Sequence, residues 1–472
     1  MAVSLRSTYP NPLQSTVPTA SELLKKYDVP GPRYTSYPTI LQWTDMPTAD
    51  HWIESVSASV DLSRREGNGA AIYVHIPFCR SLCTYCGCNS RITGSTSAGA
   101  YVKTVLTEWE LYAGRVSHSQ PIPLSELHLG GGTPTYLSPA ELDELIGGIL
   151  KHASKTLGAE FSVESDPRVT QPEHLSMLYS LGFRRLSLGI QDFDPVVQMA
   201  VNRVQTEEQV RAVTEKARAL GFSSINYDLI YGLPFQNLQS IEQTVAAVTR
   251  LRPDRIAFYA YAHVPWVKPG QRHFTEEDLP AGDEKRALYE LGRRLLEAEG
   301  YREIGMDHFA LESDELFQAA TENTLHRNFM GYAPRFVTPL IGLGVSSISD
   351  SWNAFVQNEK KLEVYEERVR KGEIPIFRGH KLNREDVVLR RHVLNLMTRF
   401  KTSWDTPEAY VPYLDSVAQR LEELERDELV QLTGKSCQVT AEGRAFLRNI
   451  CMAFDARLAR DNSTTQLFSR TI

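Results

Sequence analysis

The sequence predicts an α/β fold: a whole or partial (β/α) barrel, preceded by an N-terminal arm and followed by a mostly helical, winged-helix-like domain. Two observations carry this expectation. From about residue 70 to 310, segments of β character alternate with amphipathic helical segments, the pattern of a parallel sheet with crossover helices. The polar and glycine motifs of this stretch each fall at the C-terminal end of a predicted strand, the face on which parallel βα barrels build their sites. No dinucleotide fingerprint follows the first strand, which favours a barrel over a Rossmann sheet.

The predicted strands lie near 71–76, 126–130, 160–165, 185–190, 225–230, 255–261 and 302–306. The predicted helices lie near 98–113, 139–152, 172–181, 206–220, 238–250 and 282–299. A length of 472 residues fits two or three domains, which we place at 1–50 (arm), 51–378 (barrel and extension) and 379–472 (cover). The arm is rich in Pro, Ser, Thr and Tyr, a composition usual for disorder. Within it, Pro32 to Thr39 reads as an extended segment packed on the surface, or as a lid in which Arg33 offers a guanidinium fork to a carboxylate. Residues 340–349 read as a glycine-broken strand able to close the barrel sheet.

After the arm, the first strand runs into His75-Ile76-Pro77-Phe78-Cys79, and the loop continues to Asn89. Four of the six cysteines sit here, spaced Cys-x3-Cys-x2-Cys-x-Cys at Cys79, Cys83, Cys86 and Cys88. A structural zinc site usually draws four ligands from two separated pairs, and no second pair exists. Cys86 and Cys88 are too close in sequence for both to reach one centre easily. Three thiolates and an open position suit a [4Fe–4S] cluster with one iron free for a ligand.

Gly130-Gly131-Gly132-Thr133 follows the second strand, where glycines allow close backbone approach to a ligand. It is no P-loop, because no Lys-Ser or Lys-Thr follows. Glu164 and Asp166 end the third strand, Gln191 and Asp192 follow the fourth, Asp228 lies on the fifth, and Ala262-His263 follow the sixth. Glu164 and Asp228 either pair with an arginine such as Arg184 or Arg203, or hold the amino and hydroxyl groups of a ligand.

The chain's bulk properties narrow the function. A net charge of -7 gives no general attraction to nucleic acid or anionic lipid. No apolar run is long enough to span a membrane, and Met1 to Thr19 lacks the apolar core of a secretory signal. Clustered cysteines indicate metal ligation in a reducing cytoplasm rather than disulfides. Beyond residue 381, amphipathic helices at 389–399, 414–426 and 441–454 flank a hairpin over 429–440. This winged-helix shape carries 14 Lys and Arg against 13 Asp and Glu, so it has no basic stripe for DNA.

The cysteine spacing after a strand resembles the radical S-adenosylmethionine (radical SAM) signature. The wider string from Tyr73 to Asn89 resembles the oxygen-independent coproporphyrinogen III oxidase family. The resemblance runs from about Pro32 to Arg470 through ordered motifs at 33–39, 128–136, 162–168, 188–193, 201–203, 228–234, 261–265, 305–310, 326–329 and 466–470. It implies the radical SAM type of partial barrel. It also implies that Cys79, Cys83 and Cys86 hold one [4Fe–4S] cluster, with Cys88 a further family cysteine off the cluster. One S-adenosylmethionine would meet Tyr73, Gly131, Glu164 and Ile348. A second would meet Tyr85, Gly132, Thr133, Gln191, Arg203, Asp228 and Ala262. Tyr73, Glu164 and Cys88 are the catalytic candidates, and Arg33 and Arg470 the candidates for holding substrate.

The implied reaction uses a 5′-deoxyadenosyl radical to take hydrogen from two propionate side chains of coproporphyrinogen III. Each then loses CO2 and an electron to become a vinyl group, giving protoporphyrinogen IX in heme biosynthesis. The implied partners are this substrate and a flavodoxin- or ferredoxin-type electron donor, with a monomeric, cytoplasmic enzyme. The chain departs from the family pattern at Met330, where glutamine is usual, and at Ala333-Pro334 and Thr338-Pro339, where hydroxyl and carboxylate residues are usual. Those departures keep two alternatives in view: a related radical enzyme acting on another substrate, such as a methyl transfer, and a heme or porphyrin carrier on the same fold.

Overall fold

The computed structural model describes residues 19–92, 98–116, 120–461 and 468–471; the motif residues Gln466 and Leu467 and the first 18 residues of the arm lie outside them. A twelve-stranded sheet organises the chain. Its strands are β1 (Ala70–Ile76), β2 (Ile122–Gly131), β3 (Ala153–Ser165), β4 (Phe183–Gln191), β5 (Ser224–Tyr231) and β6 (Arg255–Ala260). They continue with β7 (Tyr301–Gly305), β8 (His308–Leu311), β9 (Leu340–Leu343), β10 (Ile348–Asp350), β11 (Ala354–Asn358) and β12 (Ile376–Lys381). The order across the sheet is β12-β11-β10-β9-β1-β2-β3-β4-β5-β6-β8-β7. Neighbours from β9 through β6 are parallel, and both flanks are antiparallel.

The crossover helices form where the apolar periodicity places them: Ala98–Val116, Pro139–Leu150, Pro172–Leu181, Glu207–Leu220, Leu238–Leu251 and Asp283–Ala298. Ser138 and Glu141 make a reciprocal capping box at the start of one, with Pro139 in the first turn. The helices bury Trp109, Leu145, Leu178 and Val248 against the sheet, in one continuous core with Trp52 and Tyr112. No helix among the described residues is long and apolar enough to cross a membrane.

Three expectations change. The strand near 302–306 exists, but β8 lies between it and β6, after a turn in which Asp307 takes φ 62. A short strand that turns back at once leaves too little alternation to read. The strand at 340–343 pairs with β1 at the opposite edge of the parallel set, so the sheet stays an open, partial barrel. The described part of the arm is ordered. Thr19 and Glu22 cap a helix over Ala20–Tyr27, and Tyr34 and Tyr37 are buried.

Those tyrosines belong to a second core, that of the cover. Tyr34 Oη donates to Asp455 at 3.1 Å, and Ala456 N–H donates to Tyr37 Oη at 3.2 Å. The cover packs the helices Arg384–Arg399, Leu414–Arg426 and Leu447–Ala453 against a three-stranded sheet containing the expected hairpin, 430–432 and 436–439. The helix expected over 441–454 begins as a 3-10 turn at Glu442–Phe446. Arg448 joins the ends of the chain, donating to the carbonyls of Gly31, Pro32, Arg470 and Thr471.

Candidate active site

Register sets the site's inner rows. Tyr73, His128 and Ser162 stand side by side on β1, β2 and β3, and Glu164, Ser187 and Asn226 form the next row on β3, β4 and β5. Alternation along each strand points these residues to one face. His75 Nε2 lies 2.9 Å from the carbonyl of Asn89, which can only accept, so Nε2 carries the proton and Nδ1 accepts from Tyr73 Oη at 3.1 Å. By the same reasoning His128 donates from Nε2 to Glu164 at 3.3 Å and accepts at Nδ1 from Ser162 at 2.7 Å. The Tyr73 ring stacks on that of His128, 5.8 Å between centroids.

At the ends of these strands a cavity of about 360 Å³ opens, and all four loop cysteines line it. Tyr85, Gly131, Gly132, Thr133, Glu164, Gln191, Arg203 and Asp228 line it too. The structure therefore gathers most of the residues that the sequence singles out. The glycines are needed for space. A Cβ on Gly132 would stand 2.9 Å from Cys79 Sγ and from the Phe78 carbonyl oxygen, and one on Gly131 (φ 121) 2.7 Å from the Ile76 carbonyl oxygen.

Neither carboxylate has the arginine partner considered above. Burial raises the Glu164 carboxyl, but hydrogen bonds from His128 and from Gly131 N–H, at 3.1 Å, outweigh it and hold the group below the usual range. Glu164 is thus ionised at neutral pH, with 43% of its side chain open to the cavity. Burial, with Glu164 nearby, pushes Asp228 up to about 6 against hydrogen bonds from Asn226 and Ser187. Arg184 turns instead to the carbonyls of Tyr179 and Phe183. Arg203 pairs with Asp166 at 3.0 Å and donates to the Gly189 carbonyl at 2.6 Å.

The thiols suit an iron–sulfur cluster. Arg168 and Arg203 each reach Cys83 Sγ at 3.7 Å, Thr133 Oγ1 lies 3.5 Å from Cys79 Sγ, and the buried Nε of Arg203 has no partner. Both guanidinium groups put positive charge beside a cluster that its thiolates would make anionic. Among the described residues no three His, Cys, Asp or Glu side chains crowd round the point a single metal ion would occupy.

Other named residues lie off this cavity. Ala262 sits at its edge, where Gln271 Nε2 binds the carbonyls of both Tyr85 and Ala262, at 3.0 and 3.3 Å. Ile348 lies against Gly342, the register partner of Tyr73. Arg33 donates to the Ala260 carbonyl in a separate small cavity. Arg470 is exposed and pairs with Asp28 at 3.1 Å. A third cavity, of about 350 Å³, fills the barrel interior and shares Cys88, Glu164, Ser187 and Asp228 with the first. Met330 and Ala333, two of the departures, line it.

His128 and Arg168 fall within the motifs 128–136 and 162–168, and the resemblance implies a role for neither. The signal for His128 is its even spacing with Gly130 on β2, which turns it to the same face. Arg168 lies two residues past Asp166 and grips it through Nε and Nη2, a local pair that spacing alone does not reveal.

The radical SAM superfamily profile matches residues 73–248. Over 460 residues the chain is 39% identical to the oxygen-independent coproporphyrinogen III oxidase of Pseudomonas aeruginosa, covering 96% of this chain and 98% of that protein. The chain belongs to the oxygen-independent coproporphyrinogen III oxidase family. Within that family, the protein from Escherichia coli K12 is likewise 39% identical, covering 95% of this chain and 98% of its own. The solved structure of coproporphyrinogen III oxidase from Escherichia coli, a radical SAM enzyme, superposes with a TM-score of 0.83 at 38% identity, covering 90% of this chain and 97% of that one.

Proposed function

We propose that this chain oxidatively decarboxylates two propionate side chains of coproporphyrinogen III to vinyl groups without oxygen, giving protoporphyrinogen IX in heme biosynthesis. The observation that carries the reading is the convergence of Cys79, Cys83, Cys86 and Glu164 on one strand-end cavity, in a chain that matches the family along nearly its whole length. Cys79, Cys83 and Cys86 would hold the [4Fe–4S] cluster and leave one iron for S-adenosylmethionine. When bound, these groups supply a one-electron reductant and a carbon radical that removes a hydrogen atom from an unactivated carbon.

The chain's own residues bind, orient and exclude water. Ionised Glu164 accepts from the cofactor's amino group, and His128 and Gly131 N–H hold the carboxylate in place. Asp228, fixed by Ser187 and Asn226, accepts from the ribose hydroxyls of the second cofactor molecule. Gly132, Thr133, Gln191 and Arg203 border the space for a second cofactor molecule. The interior cavity, which shares Glu164, Ser187 and Asp228 with the first, gives the reacting side chain a shielded approach, and Cys88 lines both spaces. From each propionate a hydrogen atom, CO2 and one electron leave, the electron to an acceptor.

The electron donor is a small flavodoxin- or ferredoxin-type protein. Leu82, Met199, Trp266 and Val267 are exposed beside the cluster loop, and no carboxylate occurs from Gly67 to Thr107 or from Arg255 to Thr275. An acidic partner fits that surface. We assign a monomer in the cytoplasm. The test is anaerobic turnover of reconstituted protein with reductant, S-adenosylmethionine and coproporphyrinogen III, following 5′-deoxyadenosine and protoporphyrin together. Both rise in step if the reading holds. Deoxyadenosine alone would move it to another substrate of radical chemistry, and neither, with the cluster present, to a porphyrin carrier.

A further inference from the structure

Three basic side chains meet at the end of the cluster loop, and they come from opposite flanks of the open sheet. Lys268 follows β6, towards one end of the strand order, while Lys360 follows β11 and Arg378 lies on β12, at the other end. The loop ties the flanks together. Lys268 Nζ donates to the Cys88 carbonyl at 3.1 Å, and Asn89 Nδ2 donates to the Lys360 carbonyl at 3.1 Å. Register carries a row from Tyr73 through Gly342, Ile348 and Gln357 to Arg378, so Arg378 stands on the sheet face that holds the site. Cys88, which Lys268 holds, lines both large cavities.

Among the described residues no carboxylate pairs with any of the three. Glu359 and Glu363, the acids nearest Lys360 in sequence, pair with Arg368 at 3.1 Å and Arg91 at 2.5 Å. The Lys268 ammonium is spent on a backbone carbonyl, which satisfies an N–H group without cancelling a charge. Arg378 donates from Nε to Gln357 Oε1 at 2.8 Å, and its Nη groups make no hydrogen bond among the described residues. The Lys360 ammonium has neither a hydrogen bond nor an ion pair there. Burial, then the Arg378 and Lys268 charges, hold that ammonium below the usual lysine range. Like charges gathered in this way are relieved by an anion among them.

We propose that Lys268, Lys360 and Arg378 anchor a carboxylate at the mouth of the barrel and, resting on the function proposed above, that it is a substrate propionate held there while another reacts. A carboxylate accepts from a guanidinium and an ammonium at once and supplies the missing negative charge. The substrate carries four propionates and they react one at a time, so at every step others are free to be held. The row that ends in Arg378 runs along the inner face of the sheet, which favours a ligand of the cavities over a protein docked outside them. A carboxylate bound here joins the two flanks of the open barrel.

The experiment uses full-length protein with its cluster reconstituted. Coproporphyrin III, an oxidised tetrapyrrole with the same four carboxylates, is titrated by fluorescence. The proteins are wild type, Lys360→Met, Lys360→Arg and Arg378→Met, matched for iron content. Lys268 touches the cluster loop itself and is left unchanged. The two methionine variants should bind about tenfold more weakly, the loss of one charge-assisted hydrogen bond, and Lys360→Arg should bind as wild type does. With dithionite as reductant, the KM for coproporphyrinogen III should rise by the same factor in the methionine variants. Equal binding by all four proteins would overturn the anchor. If turnover of the methionine variants then fell only with reduced flavodoxin in place of dithionite, the three charges would be a docking surface for the electron donor. If wild type with an intact cluster makes no protoporphyrin while coproporphyrin III binding still depends on Lys360 and Arg378, the proposed function falls and the anchor stands.

Discussion

The Arg203 guanidinium lies 3.0 Å from the Asp166 carboxylate and shares that carboxylate with Arg168 at 2.7 Å. Both arginines also reach Cys83 Sγ. Asp166 therefore aims two positive charges at one sulfur. Burial raises its carboxyl, but the bond from Arg168 and the charge of Arg203 hold it below the usual range. Arg203→Met and Asp166→Asn should each lower iron content after reconstitution. In a double-mutant cycle on unfolding free energy their effects should fall short of additive by about 0.5–3 kcal/mol, because each variant disables the same pair. Additive losses would show that the two residues act separately.

Cys83→Ala should abolish the visible iron–sulfur absorbance and turnover together. Gly132→Ala should act in the same direction with every thiol intact, because the new methyl group meets Cys79 Sγ and the Phe78 carbonyl. Iron analysis with absorbance checks both. A full iron complement in Gly132→Ala would mean that the loop yields to the methyl group.

Glu164→Gln should keep the cluster and weaken S-adenosylmethionine binding about tenfold or more, the expected cost of losing a charge-assisted hydrogen bond. Equilibrium binding on the reconstituted protein measures it.

Asp228 gives a pH signature. Its folded-state carboxyl sits at about 6, so it takes up a proton as pH falls through 6 and loses an acceptor for ribose. Affinity for S-adenosylmethionine should rise between about pH 5 and 7, and Asp228→Asn should flatten that rise.

Much of this site could be read from the order of residues, because its parts are local. Cysteine spacing, strand-end glycines and inward carboxylates each report on a few neighbouring positions. The partners of Glu164 could not be read that way. Its hydrogen-bond donors are His128 and the Gly131 N–H, set by the register of β2 on β3, and not the arginines that composition suggests. The arm failed for a different reason. Its Pro, Ser and Tyr content is that of a loose segment, and what orders Tyr34 and Tyr37 is a core contributed by residues more than 400 positions later. β8 was hidden by its length of four residues.

The arm is also held by a clamp at Asp386, which is buried and bound by Arg457 at 2.9 Å while His380, its other partner, accepts from the Thr44 and Asp45 amides. Burial raises the Asp386 carboxyl, but His380 and Arg457 bring it down to about 2. A depressed carboxyl stabilises the fold above its unfolded value and loses that contribution as pH falls towards 2. Two units correspond to about 2–3 kcal/mol. Asp386→Asn should therefore unfold more easily at pH 7 and show a shallower loss of stability between about pH 4 and 2, measured by denaturant titration.

The bridge between Pro30 and Arg470 also bears on how the chain is made. A ribosome delivers the arm long before its partners, with 442 positions between Val29 and the Thr471 hydroxyl that it bonds. The barrel's strands can pair while synthesis continues, but the cover cannot close on Tyr34 and Tyr37 until Asp455 and Ala456 have been made. A nascent chain halted before Arg448 would lack the residues that bury those tyrosines, and would leave two aromatic rings of the arm open to solvent.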